Sequence, residues 1–359
     1  MNRPNDPLAG SPGGWLKPLS QFQEEEASWL IPGWLPEGQI TLLAAEGGVG
    51  KTTIWCHIVA ALSAGRPCLL DPEGLDRPPI ESVFLTTEDS VKKKLARKLR
   101  LAGACMPNVY APDLSADSGA LRSLKFGTGA MERFLRERVQ KLFVFDPIQG
   151  FLPPQLNMGS RNAMRDALSP LVTLGEQTGA TFLIVVHTNK RKGAYGRDRI
   201  ADSADLWDIA RSVWMAGYTG EPGIRYLSNE KNNYAALQET RLFSVNEAGL
   251  IVPEGTSRKR DREYQQESMT VFSAPVREAC KDWTVAQLGG CGGSVPSKTL
   301  EEAARREGFS ARTLRRAKDE LKAEGAIRYF KTGGKDGGWN VALSQPELPA
   351  SEVNEPLPV

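Results

Sequence analysis

Short, almost uninterrupted apolar runs alternate along the first two thirds of the chain with segments whose apolar residues recur at helical spacing. QITLLAA precedes TTIWCHIVAALSAG, SVFLTT precedes VKKKLARKLRLAG, KLFVFD precedes a helical stretch over 162–178, and TFLIVVH follows that. Strands buried on both faces read as continuous apolar runs, and their alternation with helices predicts a mainly parallel sheet covered on both sides. Three shorter runs, IRYLSNE, TRLFSV and GLIVP, predict further strands that extend the sheet with an antiparallel edge.

The pattern also sets expected boundaries. Residues 1–30 are rich in Pro, Gly and Gln and read as a flexible arm; 31–254 hold the α/β core. GTSRKRDREYQQES is charged and lacks periodicity, so 255–271 read as a linker. Beyond it, 272–344 form a second, small α+β unit, and 345–359 a disordered tail. SKTLEEAARREGFSARTLRRAKDELKAEG holds two helical patterns joined at Gly308-Phe309, with Ser310 as N-cap of the second. Leu314, Ala317 and Leu321 share one face there, which leaves Arg312, Arg315 and Arg316 toward solvent. AIRYFKTGGKDGGWNVAL then reads as two strands around a Gly-rich turn. A helix–turn–helix with a wing predicts either duplex DNA binding, with the arginines on phosphates, or a protein-interaction module.

The stretch AAEGGVGKTT supplies the first chemistry. Small residues let backbone N–H groups close around phosphates, a Lys reaches the β/γ-phosphates, a hydroxyl serves Mg²⁺, and a helix start favours the anion. Ala45, Glu46, Gly47, Gly48, Val49, Gly50, Lys51, Thr52 and Thr53 form this candidate nucleotide loop. Ala45 stands where the strict pattern has Gly. ParA- and MinD-like switches carry a second lysine just before G-G-V-G-K-T; Glu46 occupies that place and cannot serve a triphosphate in the same way.

Three strand ends add candidates. Asp146 closes KLFVFD, where a carboxylate after a phosphate loop holds Mg²⁺, so Thr52 and Asp146 are the expected metal residues. SVFLTTED ends in Glu88 and Asp89; Glu88 is the expected general base, with Asp89 or Ser90 capping the next helix. His187 closes TFLIVVH, placed to sense the γ-phosphate. After it, Lys190, Arg191, Lys192, Arg197 and Arg199 surround Tyr195, a composition suited to single-stranded DNA or to a solvated charged loop. Arg211 and Lys231 are two further cations; in a ring of subunits one of them reaches a neighbour's γ-phosphate, and the alternative for either is a surface salt bridge.

Composition narrows the classes. The chain has 359 residues, is 40% hydrophobic and carries a net charge of +2, so local clusters decide the partners. No apolar run approaches the roughly 20 residues of a membrane span. Five scattered cysteines without a C-x-x-C pair argue against a disulfide framework or zinc site, and a cytoplasmic location without membrane contact is expected.

Taken together, IPGWLPEGQITLLAAEGGVGKTT, FLTTEDS, LFVFDPIQGF, IVVHTNK and ARSVWMAG resemble the RepA-like branch of RecA-fold ATPases, with RadA and KaiC as more distant relatives. The resemblance covers roughly 30–252. It implies a RecA-like P-loop core binding ATP and Mg²⁺, with Lys51 and Thr52 on the nucleotide, Glu88 as base, Asp146 as metal carboxylate, His187 as sensor and Arg211 acting in trans. EKNNY is similar to the K-N-R-F-G segment of RadA-type proteins, which gives Lys231 the same kind of role, although Asn233 replaces that segment's Arg. The implied activity is that of a homohexameric helicase moving on single-stranded DNA in plasmid, phage or mobile-element replication. The alternatives are an ATP-dependent DNA-binding regulator or loader, and a RadA-like recombination or repair ATPase that does not unwind.

Overall fold

The computed structural model describes residues 18–72, 74–113, 119–156, 161–189, 194–200, 204–332 and 338–344. They fall into two compact units, Met1–Gln265 and Gln266–Val359.

In the first unit, the pair β1 (Trp29–Ile31) and β2 (Leu35–Pro36) leads into β3 (Ile40–Ala45) and α1 (Lys51–Ser63). Then follow β4 (Ser82–Thr86), α2 (Ala96–Leu101), β5 (Val109–Tyr110), α3 (Ala120–Ser123), α4 (Gly129–Arg136), β6 (Leu142–Asp146) and α5 (Arg161–Thr178). The unit continues with β7 (Thr181–His187), α6 (Ala204–Ile209), β8 (Ser212–Tyr218), β9 (Arg225–Asn232), β10 (Thr240–Val245) and β11 (Ile251–Ser257). Nine strands join in the order β11-β10-β9-β8-β3-β7-β6-β4-β5. From β8 to β5 the pairs are parallel, and β9, β10 and β11 add the expected antiparallel edge. This is a RecA-like P-loop NTPase core.

The continuous apolar runs arise because each central strand is covered twice. Leu42, Ala44, Phe143, Phe145, Phe182 and Ile184 meet Met131 and Leu135 of α4 and Met164, Leu168 and Leu171 of α5. The alternate residues Leu43, Leu142, Val144, Leu183 and Val185 meet Ile54, Trp55 and Ile58 of α1 and Leu99 of α2 on the other face. Removing apolar surface on both sides at once makes these strands the rigid floor of the unit.

Two expected boundaries shift. Trp29 and Leu30, assigned to the arm, already belong to β1; residues 1–17 lie outside the described set. The expected linker 255–271 instead holds the end of β11 and the start of α7 (Asp261–Gly290). Asp261 and Tyr264, three residues apart on one helical face, are both buried, and the Tyr264 ring stacks on Tyr226 at 4.4 Å. Their burial gives a charged, polar-looking segment a packed face.

The second unit contains the rest of α7, β12 (Ser294–Pro296), α8 (Ser297–Arg306), α9 (Ala311–Ala323), β13 (Ile327–Lys331) and β14 (Trp339–Leu343). Ser310 Oγ accepts from the Thr313 amide at 3.1 Å, the cap the sequence predicts. Leu314, Ala317 and Leu321 are buried, and β13 pairs antiparallel with β14 as a wing. The strand β12, absent from the sequence reading, pairs with β14. The unit is a small α+β domain of winged-helix form; the expected tail 345–359 lies outside the described residues.

Candidate active site

Parallel order brings the carboxyl ends of β3, β7, β6 and β4 to one edge of the sheet, where open α/β folds bind ligands. Ala45 is level with His187, and Thr86 with Asp146. Ala45 is fully buried as the last residue of β3, flanked by β7 and β8, so the first position of the loop motif does not need a glycine here. The turn falls later. Gly48 and Gly50 have φ of 85° and 107°, a region that side chains with Cβ rarely adopt. Gly50 is the N-cap of α1, whose first amides point into the loop.

Lys51 opens α1 and folds back over the loop. Its Nζ donates to the carbonyls of Ala45 at 2.9 Å and Glu46 at 3.0 Å, and lies 3.2 Å from His187 Nδ1. Burial lowers the Lys51 pKa, while Asp146, Glu88 and Glu46 pull it back up. One residue on, Thr52 Oγ1 donates to Asp146 Oδ2 at 3.2 Å. Trp55, a turn further along α1, donates its indole N–H to the same oxygen at 2.7 Å. Burial pushes the Asp146 carboxyl up, the Trp55 and Thr52 bonds oppose that, and the charges of Glu88 and Asp89 add to it.

The two acids after β4 diverge. Both Asp89 oxygens lie 2.8 Å from Lys94 Nζ, which engages that carboxylate locally. Glu88 instead faces the site, its Oε1 3.7 Å from His187 Nε2. If Lys51 donates to Nδ1, the ring proton sits on Nε2 and points at Glu88. Lys51, Thr52, Asp146, Glu88 and His187 are therefore brought together. The hydroxyl of Thr52 and the carboxylate of Asp146 are hard oxygen donors suited to Mg²⁺, and the glycine turn leaves its amides free to face phosphates.

Other expected residues lie elsewhere. Arg211 precedes β8 and its amide donates to the Ile40 carbonyl at 2.9 Å, at the opposite end of β3 from the loop. The six residues of β3 put about 17 Å between its ends. Lys231 is spent locally: its Nζ donates to the carbonyls of Trp207, Asp208 and Ala210 at 2.8, 3.1 and 2.8 Å, closing the end of α6. Arg197 pairs with Asp208 at 2.6 Å, and Arg199 is buried against Asp261, with Glu46 at 3.7 Å. Lys190, Arg191 and Lys192 lie outside the described residues. In the second unit Arg315 and Arg316 are exposed on α9, and the side chain of Arg312 lies outside what is described.

Sequence reasoning missed Trp55, Tyr218 and Arg225. Trp55 carried a signal, since it follows Thr52 by one helical turn. Tyr218, whose hydroxyl donates to the Gly48 carbonyl at 2.9 Å, and Arg225 reach the loop only through the pairing of β8 with β9.

Residues 13–193 match the family described as AAA domain. The chain is 22% identical over 262 residues to the DNA repair protein RadA of Pseudomonas aeruginosa, covering 68% of this chain and 51% of that protein. It is 22% identical over 241 residues to the DNA repair protein RadA of Bacillus subtilis, covering 65% and 45%. The chain thus spans about half the length of the curated relatives it matches. Among solved structures, an isolated ATPase domain superposes with a TM-score of 0.48 at 11% identity, covering 63% of this chain and 92% of that one. The RadB recombinase gives 0.42 at 15%, covering 60% and 91%.

Proposed function

The chain belongs to the AAA-domain family, and on that premise we propose that it is a DNA-stimulated ATPase of the recombination and repair kind, acting on single strands. One observation carries the reading: Lys51 and Glu88 face the two ring nitrogens of one histidine, at 3.2 and 3.7 Å, and the basic segment begins directly after that histidine. Bound nucleotide takes Lys51 on its β/γ-phosphates. Thr52 and Asp146 would hold a Mg²⁺ ion, which would supply positive charge against the phosphates. Glu88 accepts the proton of the attacking water, and His187 registers loss of the γ-phosphate to the segment 188–200. The named relatives RadA, both DNA repair proteins, support this reading over a dedicated replicative helicase.

Strand unwinding by a homohexameric ring is the second reading. It is favoured by the position of Arg211, which can act on a nucleotide only from a neighbouring subunit. No helix among the described residues is long and apolar enough to cross a membrane.

The deciding experiment is steady-state ATP hydrolysis by the purified chain alone, with single-stranded DNA and with duplex DNA. Strong stimulation by single strands is expected. Hydrolysis indifferent to single strands, with duplex binding intact, identifies a nucleotide-dependent regulator or loader instead.

A further inference from the structure

The groups assigned to hydrolysis all lie on one side of β3, over β7, β6 and β4. On the other side, β8 and β9 pair antiparallel and place Tyr218 opposite Arg225 at the same edge of the sheet. The Arg225 guanidinium lies 5.5 Å from the Tyr218 ring centroid, and the Tyr218 hydroxyl is tied to the Gly48 carbonyl at 2.9 Å. A Cβ built on Gly50 would lie 3.6 Å from Arg225 Nη1 and 3.7 Å from Thr53 Oγ1, so the guanidinium stands against the first turn of α1. Lys98 Nζ donates to the same Thr53 hydroxyl at 2.6 Å.

Three cations, Lys51, Lys98 and Arg225, therefore surround one helix N-terminus, the end where the helix dipole already disfavours positive charge. Arg225 has no carboxylate partner among the described residues, and its Nε is buried without a hydrogen-bond partner. An arrangement of this kind is electrostatically incomplete until a polyanion enters. A triphosphate laid across the tip of β3, with its γ end toward Glu88 and Asp146, turns its nucleoside end toward β8 and β9.

We propose that Arg225, braced on Tyr218 and aided by Lys98 at Thr53, grips the nucleoside-side phosphate of the bound nucleotide from within the same subunit. This rests on the nucleotide-site reading above. A contact to that phosphate is the same before and after hydrolysis, so it sets affinity for ATP and ADP alike and leaves the chemical step alone.

The test is calorimetric binding of ADP and of ATP to the full-length chain and to Arg225→Ala, Arg225→Lys and Tyr218→Phe, with melting curves as a fold check. Arg225→Ala is expected to weaken both nucleotides by about 10- to 100-fold, the range for deleting a charge-assisted hydrogen bond. KM should rise accordingly and kcat at saturation stay within about twofold. Arg225→Lys should recover part of the affinity, and Tyr218→Phe should weaken binding less than Arg225→Ala because the ring remains. Unchanged ADP affinity in a folded Arg225→Ala, or a fall in kcat with KM intact, overturns the assignment. A wild-type chain that binds neither nucleotide overturns the underlying site reading, so the two failures are distinguishable.

Discussion

Arg199, at the end of the basic segment, and Asp261, the first residue of α7, form an ion pair with side chains only 3% and 0% exposed. The Tyr226 hydroxyl donates to the same Asp261 oxygen at 2.7 Å, and the Glu46 carboxylate lies 3.7 Å from Arg199 on the loop side. Removing one member of such a pair strands the other charge away from water. Arg199→Ala should therefore cost about 3–5 kcal/mol of stability, whereas Glu46→Gln, on a half-exposed side chain, should cost less than about 1 kcal/mol. Urea unfolding of both variants checks this. Equal, small losses would return Arg199 to the solvated DNA-contact role suggested by its sequence neighbours.

The same pair shows where sequence reading stops. β3, β6 and β7 were legible because burial on both faces demands apolar residues at every position. The glycine loop was legible because its conformation is set within a few consecutive residues. Asp146, Glu88 and His187 followed once the strands were parallel, since parallel order alone collects their carboxyl ends. Arg199 and Asp261, 62 residues apart, leave no local trace of their pairing. Asp261 sits among Arg258, Lys259, Arg260 and Arg262, so a buried helix start looked like a solvated linker. Arg225 was invisible for a related reason: a hairpin register, not a motif, brings it to the loop.

The divergence of Glu88 and Asp89 separates the two candidate bases. Glu88→Gln should retain ATP binding and lower turnover by about 10²- to 10⁴-fold, the usual contribution of a positioned general base. Asp89→Asn should change turnover by no more than about twofold, because its carboxylate is engaged by Lys94 at a partly exposed site. Single-turnover hydrolysis of the two variants decides, and the reverse ranking would move the base to Asp89.

Asp146 carries a stability cost with a definite pH dependence. Burial raises its pKa, so the folded chain holds this proton to higher pH than the unfolded chain does. The penalty is complete above the raised pKa, fades as pH falls through it, and is gone below the ordinary carboxylate value. Asp146→Asn keeps an oxygen for the Trp55 N–H but no charge. Without nucleotide, it should melt above the wild type at neutral pH, and the gap should close on acidification while hydrolysis stays low. A variant that melts lower at neutral pH would show that the bonds from Trp55 and Thr52 outweigh the burial of charge.

Arg211 and Lys231 lie at the same end of the sheet yet make opposite predictions. With three carbonyls on its ammonium, Lys231 closes α6, and Lys231→Met should lower the melting temperature in proportion to the roughly 1–3 kcal/mol of each buried group left unpaired. Arg211→Ala should leave the fold intact and reduce kcat by about 10³-fold or more if it completes a neighbour's site. Mixing Arg211→Ala with Lys51→Ala subunits should then restore part of the activity, since each supplies what the other lacks. No recovery in a mixture shown to co-assemble would argue against action in trans.

Near the carboxyl end of α9, Glu320 lies 3.1 Å from Arg277 and the C-cap residue Glu324 2.5 Å from Lys281, both cations belonging to α7. Those pairs offset two of the carboxylates at that end, Asp319 staying exposed, whereas Arg315 and Arg316 are exposed nearer the start of α9, where a recognition helix meets DNA. Replacing Arg312, Arg315 and Arg316 together by Ala should weaken duplex binding and reduce the slope of log K against log salt by about 0.9 for each phosphate no longer neutralised. Arg277→Ala, which frees Glu320, should also weaken binding by returning a negative charge to the same helix. If the triple variant binds duplex with unchanged affinity and unchanged salt slope, the winged helix does not read DNA, and its exposed arginines serve a protein partner.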